Sequence, residues 1–138
     1  MSRLRLTALL ALLAAAACSR KTPVPDPFAA SIAGWSRTAL RDLPASHPPD
    51  PVPATVIESI RAASYEGPGK LEARLYALAT PAAALELAQR WAPRADTVFF
   101  YRDRFFVVIQ WQTANRKALQ SFVGEFQNRM GPQPTPAG

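Results

Sequence analysis

The chain has 138 residues and a formal net charge of +6, and its length allows one domain. A single cysteine excludes a disulfide within the chain, and 14 prolines, most of them in residues 23–53 and 132–136, favour extended chain there. The basic residues are dispersed and no recognised nucleic-acid motif accompanies them, so we predict no nucleic-acid partner.

The first 17 residues have the composition of a signal peptide. Arg3 and Arg5 supply a positive start, and residues 6–17 contain only leucine, alanine and one threonine. A helix of that length extends about 18 Å, well short of the roughly 30 Å hydrocarbon core of a bilayer. We therefore predict a cleaved signal peptide over residues 1–17 and no ordinary membrane-spanning helix there.

Cys18, the only cysteine, follows this apolar run directly. The sequence of residues 13–18, LAAAAC, resembles the lipobox of bacterial lipoproteins, although Ala15 stands where that family usually has leucine. The resemblance implies that Cys18 receives a diacylglycerol thioether, becomes the mature N-terminus and, with acyl chains such as palmitate, holds the protein on a membrane. The residue after Cys18 is Ser19 and not aspartate. In the enterobacterial version of the family, this implies export to the outer membrane, where the protein would face the periplasm.

A plain secretory signal cleaved after Ala17 is the alternative, because residues 15–17 also satisfy the small-residue rule for signal peptidase. That cleavage would leave an unpaired, exposed thiol in an oxidising compartment, which is unfavourable. We favour the lipoprotein hypothesis, because a lone cysteine has little chance of standing at the first mature position at random.

The composition of residues 18–53 is typical of a lipidated N-terminus followed by a proline-rich tether. Within them, residues 28–43 are predicted to form a short helix or a packed turn, with Trp35 anchored against the core. His47, the only histidine, lies in the proline-rich loop that follows. The compact domain is predicted over residues 54–131, and residues 132–138 are expected to form a disordered tail.

The predicted domain opens with strands. Residues 56–61 have an apolar spacing that fits a helix and a strand equally well. Residues 66–69, EGPG, indicate a turn. Residues 70–79 then alternate between apolar side chains, such as Leu71, and polar ones, such as Arg74, which predicts a half-buried strand in a hairpin.

Two amphipathic helices are predicted in the second half of the chain. Thr80 and Pro81 have the residue types of an N-cap and a first helical position, and Pro93 ends that helix. Thr113 is the predicted N-cap of the last helix, and Gly131 ends it.

Between the helices lie two β-prone runs, residues 96–101 and 105–111, joined by a tight turn in which Asp103 supplies the turn chemistry. The second run is apolar on both faces, so we expect it to be a central strand that is covered on more than one side. The complete order predicts an α+β fold: a small antiparallel sheet in strand-strand-helix-strand-strand-helix order, with two helices packed on one face.

From Leu71 onward, the order and lengths of these elements are similar to those of the sporulation-related repeat domains, which bind peptidoglycan glycan strands. The chain does not contain that family's glycine-phenylalanine strand motifs. It also resembles small bacterial lipoproteins that carry a YEGPG-type turn before a strand. The first likeness implies a glycan-binding module, and the second implies no activity.

Residues with the chemistry of catalytic or metal sites are few. His47 is the only histidine and Cys18 is assigned to lipid, so we predict no metal site, no cofactor and no nucleophilic triad. Gly67 and Gly69 belong to a turn between strands and indicate no phosphate loop. Four carboxylates lie in or near the sheet and are interpreted as solvated surface groups: Glu66, Glu72, Asp96 and Asp103.

An aromatic cluster within residues 99–111 is the most suggestive feature of the domain. Two arginines interrupt it, and aromatics beside arginines can stack nucleobases or glycan rings. A small domain must bury most of its aromatics, so we expect the cluster to be mainly core, with Tyr101 or Phe106 partly exposed. The candidate binding surface consists of Tyr101, Arg102, Arg104 and Phe106.

The sequence therefore predicts a membrane-anchored lipoprotein of the bacterial cell envelope that acts by binding or as an accessory subunit, without catalysis. The alternative is a glycan-binding module on the periplasmic face of the membrane, and the expected partners are the membrane, an envelope protein or a glycan. A deep pocket lined by two or more of Glu66, Asp96 and Asp103 would favour an enzyme instead.

Overall fold

The computed structural model describes residues 21–131, so the predicted signal peptide, Cys18 and the tail at 132–138 lie outside the described residues. These residues form a six-stranded antiparallel sheet in the spatial order β1-β2-β3-β4-β6-β5, with two α-helices. The strands are β1 (Ser31–Ile32), β2 (Trp35–Leu43), β3 (Ile57–Glu66), β4 (Lys70–Leu78), β5 (Thr97–Arg102) and β6 (Phe105–Thr113). The helices are α1 (Pro81–Arg90) and α2 (Arg116–Arg129). A fold of mixed α and β structure with an antiparallel sheet is confirmed.

The two helices pack on opposite faces of the sheet, so the prediction that they share one face is wrong. Leu75 and Val107 belong to the core under α2, whereas their strand neighbours Tyr76 and Phe106 belong to a second core under α1. Successive strand residues point to opposite faces, and residues 75–78 of β4 and 105–109 of β6 are apolar on both. Each face therefore needs its own cover. The prediction of a central, doubly covered β6 is confirmed.

Four strands precede the first helix, where two were predicted, because residues 28–43 form no helix. They form β1, a turn at Ala33 and Gly34 with positive φ angles of 49° and 85°, and β2. Trp35 is fully buried, its ring packs against Phe122 at 5.9 Å, and its indole N–H donates to the carbonyl of Ala118. The Trp35 anchor is confirmed. The helix is wrong, and the turn is confined to Ala33 and Gly34, because residues 35–43 form β2.

The folded unit also begins earlier than the predicted boundary at residue 54. Phe28 is 3% exposed in the core under α2. The proline-rich loop returns over the other face, where Asp50 and Val52 are each 4% exposed, while His47 is exposed. Much of the predicted tether, 18–53, thus packs as part of the domain.

Three local predictions are decided by hydrogen bonding. Residues 57–61 are strand, because β3 pairs with both β2 and β4, and only Ala54–Val56 make a short 3-10 turn. Thr80 caps α1 as predicted, by accepting from the N–H of Ala83. The cap of α2 is Asn115 and not Thr113, because β6 continues through Thr113.

The β5–β6 hairpin has the predicted turn, with Asp103 in the left-handed region at a φ of 55°. Aspartate tolerates this region better than most residues. The β3–β4 turn depends on its glycines for another reason: without side chains, they let other backbone segments approach closely. A Cβ on Gly69 would overlap the carbonyl group of Thr113, and a Cβ on Gly67 would lie 2.7 Å from the carbonyl oxygen of Gly34.

We expect Gly69→Ala to lower the free energy of unfolding by about 2 kcal/mol or more, since backbone at the end of β6 must shift to admit the methyl group. Gly124→Ala is the matched control, because Gly124 lies within α2 with nothing near the added Cβ, and it should raise stability by about 0.5–1 kcal/mol. Urea unfolding followed by tryptophan fluorescence measures both. Equal effects of the two substitutions would contradict this packing of the β3–β4 turn.

Candidate functional site

An open groove of about 550 Å³ lies on the α1 face of the sheet, at the end that carries the β3–β4 turn. Helix α1 packs on the apolar half of this face, over Tyr76 and Phe106, and the groove occupies the polar half. We call it the polar groove. Its side chains include both signs of charge and two amides: Lys70, Glu72, Arg74, Asp96, Gln110 and Gln112.

Strand register brings the groove residues together. Ser64 of β3 pairs with Glu72 of β4, and Glu72 pairs with Gln110 of β6. Residues that are partners across neighbouring strands lie on the same face, so these three polar side chains form one row. The next row, toward α1, contains Arg74 between Ala62 and Val108 and marks the boundary with the apolar core.

Below the groove lies a buried ion pair between Arg74 and Asp50. The Arg74 guanidinium donates from Nε to Asp50 Oδ2 at 2.7 Å and from Nη2 to Oδ1 at 2.8 Å, and the two side chains are 5% and 0% exposed. The Tyr76 hydroxyl donates to Oδ2 at 2.5 Å, and Arg94 Nη2 donates to Oδ1 at 2.8 Å. A buried carboxylate with this many donors is well satisfied. Arg74 is therefore buried, contrary to its predicted place on an exposed face.

This network shifts the pKa values of its members. Burial alone would raise the pKa of Asp50, but the hydrogen bonds from Arg74, Tyr76 and Arg94 outweigh it, and the pKa lies below its usual value. Burial, together with the hydrogen bond to Asp50, raises the pKa of the Tyr76 hydroxyl. At neutral pH the network therefore contains an ionised Asp50, a neutral Tyr76 and a charged Arg74.

From Arg74 the hydrogen bonds continue into the groove. Its Nη2 also donates to Gln110 Oε1 at 3.0 Å, and Gln110 Nε2 donates to Asp96 Oδ2 at 3.0 Å. Its Nη1 lies 3.5 Å from Glu72, whose two carboxylate oxygens both accept from Arg41 Nη2 at 3.1 Å. The buried pair thus holds the orientation of the groove side chains, which leave further lone pairs and N–H groups for a ligand.

Two of the three carboxylates whose convergence would favour an enzyme, Glu66 and Asp96, line this groove. Asp103 does not, because it lies in the β5–β6 turn at the opposite end of the sheet. The groove is open to solvent, and its carboxylates already contact donors or cations, with Glu66 at 3.7 Å from Lys70.

The four residues of the predicted binding surface do not form one exposed patch. Phe106 is fully buried, 5.1 Å from the Trp91 ring, so its predicted partial exposure is wrong. Arg104 is 6% exposed, and Arg102 donates to the carbonyl of Gln127 at 3.1 Å. Both arginines therefore make contacts within the fold and do not form an exposed binding surface. Tyr101 is 42% exposed, in agreement with its predicted exposure. The cover by α1 explains the difference, because it buries the aromatics of this face.

The principal residue that the sequence reasoning missed is Asp50. The signal was present, since Asp50 is the one acidic residue in the proline-rich stretch HPPDPVP. Arg74 also stands in an otherwise apolar part of its strand, between Ala73 and Leu75. Neither residue indicates the other from sequence spacing alone, because 24 positions separate them.

No protein-family model, curated protein or solved structure matches this chain. The resemblances to bacterial lipoproteins and to sporulation-related repeat domains therefore stay predictions. The order of elements from Leu71 onward, β4, α1, β5, β6 and α2, is the strand-helix-strand-strand-helix order on which the second likeness depends.

Within residues 21–131, no helix has the length and apolar character needed to cross a bilayer. The same part of the chain contains no group of three or more histidine, cysteine, aspartate or glutamate side chains arranged to hold a metal ion.

Proposed function

We propose that this chain is a bacterial envelope lipoprotein, anchored through Cys18, that binds a polar ligand or partner in the polar groove without catalysing a reaction. The observation that supports binding is the attachment of the groove side chains to the buried Arg74–Asp50 pair. Because the floor of the groove is already ordered, a ligand meets Glu72, Gln110 and Asp96 without ordering them on binding.

The anchoring part of the proposal is supported by the lipobox-like sequence before Cys18. An unpaired exposed thiol is avoided if the cysteine carries lipid. Two or more acyl chains then make the attachment stable. We therefore propose an envelope membrane as the location, and the serine at position 19 favours the outer membrane facing the periplasm.

A glycan is the alternative ligand, and one observation favours it. The groove combines amides and carboxylates, which can donate hydrogen bonds to the hydroxyls of a glycan and accept hydrogen bonds from them. Peptidoglycan fragments carry hydroxyls, carboxylates and amines, so they match a groove that contains both signs of charge. The accessory-subunit proposal requires instead that an envelope protein occupies the same groove.

Titration of the purified protein with soluble peptidoglycan fragments tests these proposals. We expect Gln112→Ala to weaken binding by about 2- to 10-fold, the usual value of one hydrogen bond to a ligand. Lys70→Ala and Glu72→Gln should act in the same direction. Gln120→Ala is the matched control, because Gln120 is an equally exposed amide on α2, outside the polar groove.

Equal affinities of Gln112→Ala and Gln120→Ala for the fragments would show that the polar groove is not the glycan site. If no fragment binds, a photo-crosslinking residue at position 112 or 120 tests the accessory-subunit proposal in intact cells. A crosslink to one envelope protein from position 112 and not from position 120 supports it. Identical crosslinks from both positions contradict it.

A further inference from the structure

The segment that leads into the fold, residues 21–30, is attached to the domain at both ends; we call it the lead segment. At its start, the Thr22 hydroxyl donates to Asp103 Oδ2 at 2.5 Å, and the Thr22 carbonyl accepts from Arg104 Nη2 at 2.8 Å. Lys21 pairs with Glu58. The first described residues are therefore held against the β5–β6 turn and the start of β3.

Arg104 is itself fixed in place. Its side chain is 7% exposed, and its Nη1 donates to Glu58 Oε2 and to the carbonyl of Leu78, each at 3.1 Å. Its guanidinium lies 4.8 Å from the centre of the Phe105 ring. A buried arginine with these partners does not reorient freely, because its charge needs them. The start of the lead segment is thus held by a rigid group.

The other end of the lead segment is held just as firmly. The Phe28 carbonyl accepts from Arg37 Nη1 at 2.6 Å, and the Ala29 carbonyl accepts from the Tyr65 hydroxyl at 2.8 Å. The Phe28 ring packs edge to face on Phe126 at 5.5 Å. Prolines at 23, 25 and 27 further stiffen the chain between these contacts. The lead segment therefore runs along the domain as a fixed part of it.

These contacts give the lead segment a direction. Its start contacts the end of the sheet where β3 begins, near Glu58, whereas Ala29 contacts Tyr65 near the end of β3. The ten residues of β3 span about 30 Å. The polar groove lies at the end of the sheet where β3 finishes, beside Glu66 and Lys70. Cys18 precedes Lys21 by three residues, a reach of at most about 10 Å.

We propose that the lead segment fixes the domain end-on at the membrane, with the β5–β6 turn toward the bilayer and the polar groove directed away from it. This inference rests on the proposed lipid anchor at Cys18. A long flexible tether would permit any orientation, but a connection of three residues to a clamped segment does not. The groove then faces ligands outside the lipid layer, which favours a soluble or polymeric ligand over a lipid headgroup.

Single-cysteine labelling tests the orientation. Lipidation consumes Cys18, so an introduced cysteine is the one free thiol of the mature protein. Tyr101→Cys places a fluorophore at the end near the β5–β6 turn, and Gln112→Cys places it at the groove, both at exposed positions. The lipidated protein is reconstituted into phosphatidylethanolamine–phosphatidylglycerol vesicles that contain a headgroup-attached nitroxide quencher. We expect several-fold stronger quenching at position 101 than at position 112.

A second variant tests the lipid anchor separately from the contacts that hold the lead segment on the domain. Insertion of about twelve glycine and serine residues between Arg20 and Lys21 leaves every described contact intact but adds a flexible tether. We expect this variant to float with the vesicles and to lose the stronger quenching at position 101. Equal quenching at both positions in the original chain would overturn the end-on orientation. Failure of the original chain to float with the vesicles would overturn the lipid anchor, and with it the orientation.

Discussion

Asp50→Asn should lower the free energy of unfolding by about 3–5 kcal/mol. Asp50 is the common acceptor for Arg74, Tyr76 and Arg94. Asparagine has no charge and offers one oxygen where the carboxylate has two, so the 5% exposed Arg74 would be left as an uncompensated buried charge. Urea unfolding followed by the fluorescence of the three tryptophans measures the change.

Asp42→Asn is the matched control. Asp42 also accepts from an arginine, Arg61, but its side chain is 79% exposed, so the substitution should change stability by about 0.5 kcal/mol or less. A buried network at Asp50 requires a large difference in stability between these two variants. Similar losses in both would mean that Asp50 contributes no more than a surface ion pair.

Acid pH provides an independent check on the same residue. The pKa of Asp50 is lower in the folded protein than in the unfolded chain, so its contribution to stability is complete above the ordinary aspartate pKa of about 3.9 and is lost as the pH falls below it toward the folded value. The difference in stability between the original chain and Asp50→Asn should therefore narrow below about pH 4. A difference that is constant down to pH 2.5 or so would contradict an ionised Asp50.

Cys18→Ser should move the protein almost entirely from the membrane fraction to the soluble fraction. Serine cannot form the thioether, and each buried methylene of an acyl chain contributes about 0.8 kcal/mol to membrane binding, so loss of all acyl chains removes the anchor. Detergent phase partitioning of cell extracts measures the distribution.

Ser19→Ala is the control for this substitution, since it alters the neighbouring residue and leaves the thiol in place. It should remain in the detergent phase with the original chain. A Cys18→Ser protein that stays in the detergent phase would contradict the anchor. An original chain that is itself found in the aqueous phase would favour the alternative of a plain secretory signal.

The parts of the fold that could be predicted are those whose patterns are local. Thr80 before Pro81, Asp103 between two β-prone runs and the doubly apolar β6 each carry their own signal, and the structure confirms all three. The cap of α2 was displaced by two residues because the length of β6 depends on its pairing with β4, which no local pattern encodes.

Strand β2 could not be predicted for a related reason. Apart from Trp35 and the two partly buried residues Arg37 and Leu43, its side chains are exposed, so it has no apolar alternation of its own. It is a strand because β3 offers a free edge, with which seven of its residues pair. The error in the placement of the helices has a different origin. β6 is apolar on both faces in the sequence, but Lys70, Glu72 and Arg74 give one face of β4 a polar pattern, which indicates solvent and not a helix on that face.

The site was the least predictable part. Asp50 meets Arg74 through a loop that folds over the sheet, and the polar groove depends on the register of β3, β4 and β6. The aromatic cluster at residues 99–111 indicates a binding surface in the sequence, because aromatics beside arginines can stack rings of a ligand. In the fold, most of them are occupied in packing, as the contact between Phe99 and Phe106 at 5.4 Å shows.

The mass of the mature N-terminal peptide shows directly whether the protein is anchored through lipid on Cys18. The protein is extracted from membranes, digested and analysed by mass spectrometry. We expect a peptide that begins at Cys18 and carries the added mass of a diacylglycerol thioether and an amide-linked acyl chain. A peptide that begins at Cys18 with a free thiol and no added mass would contradict it.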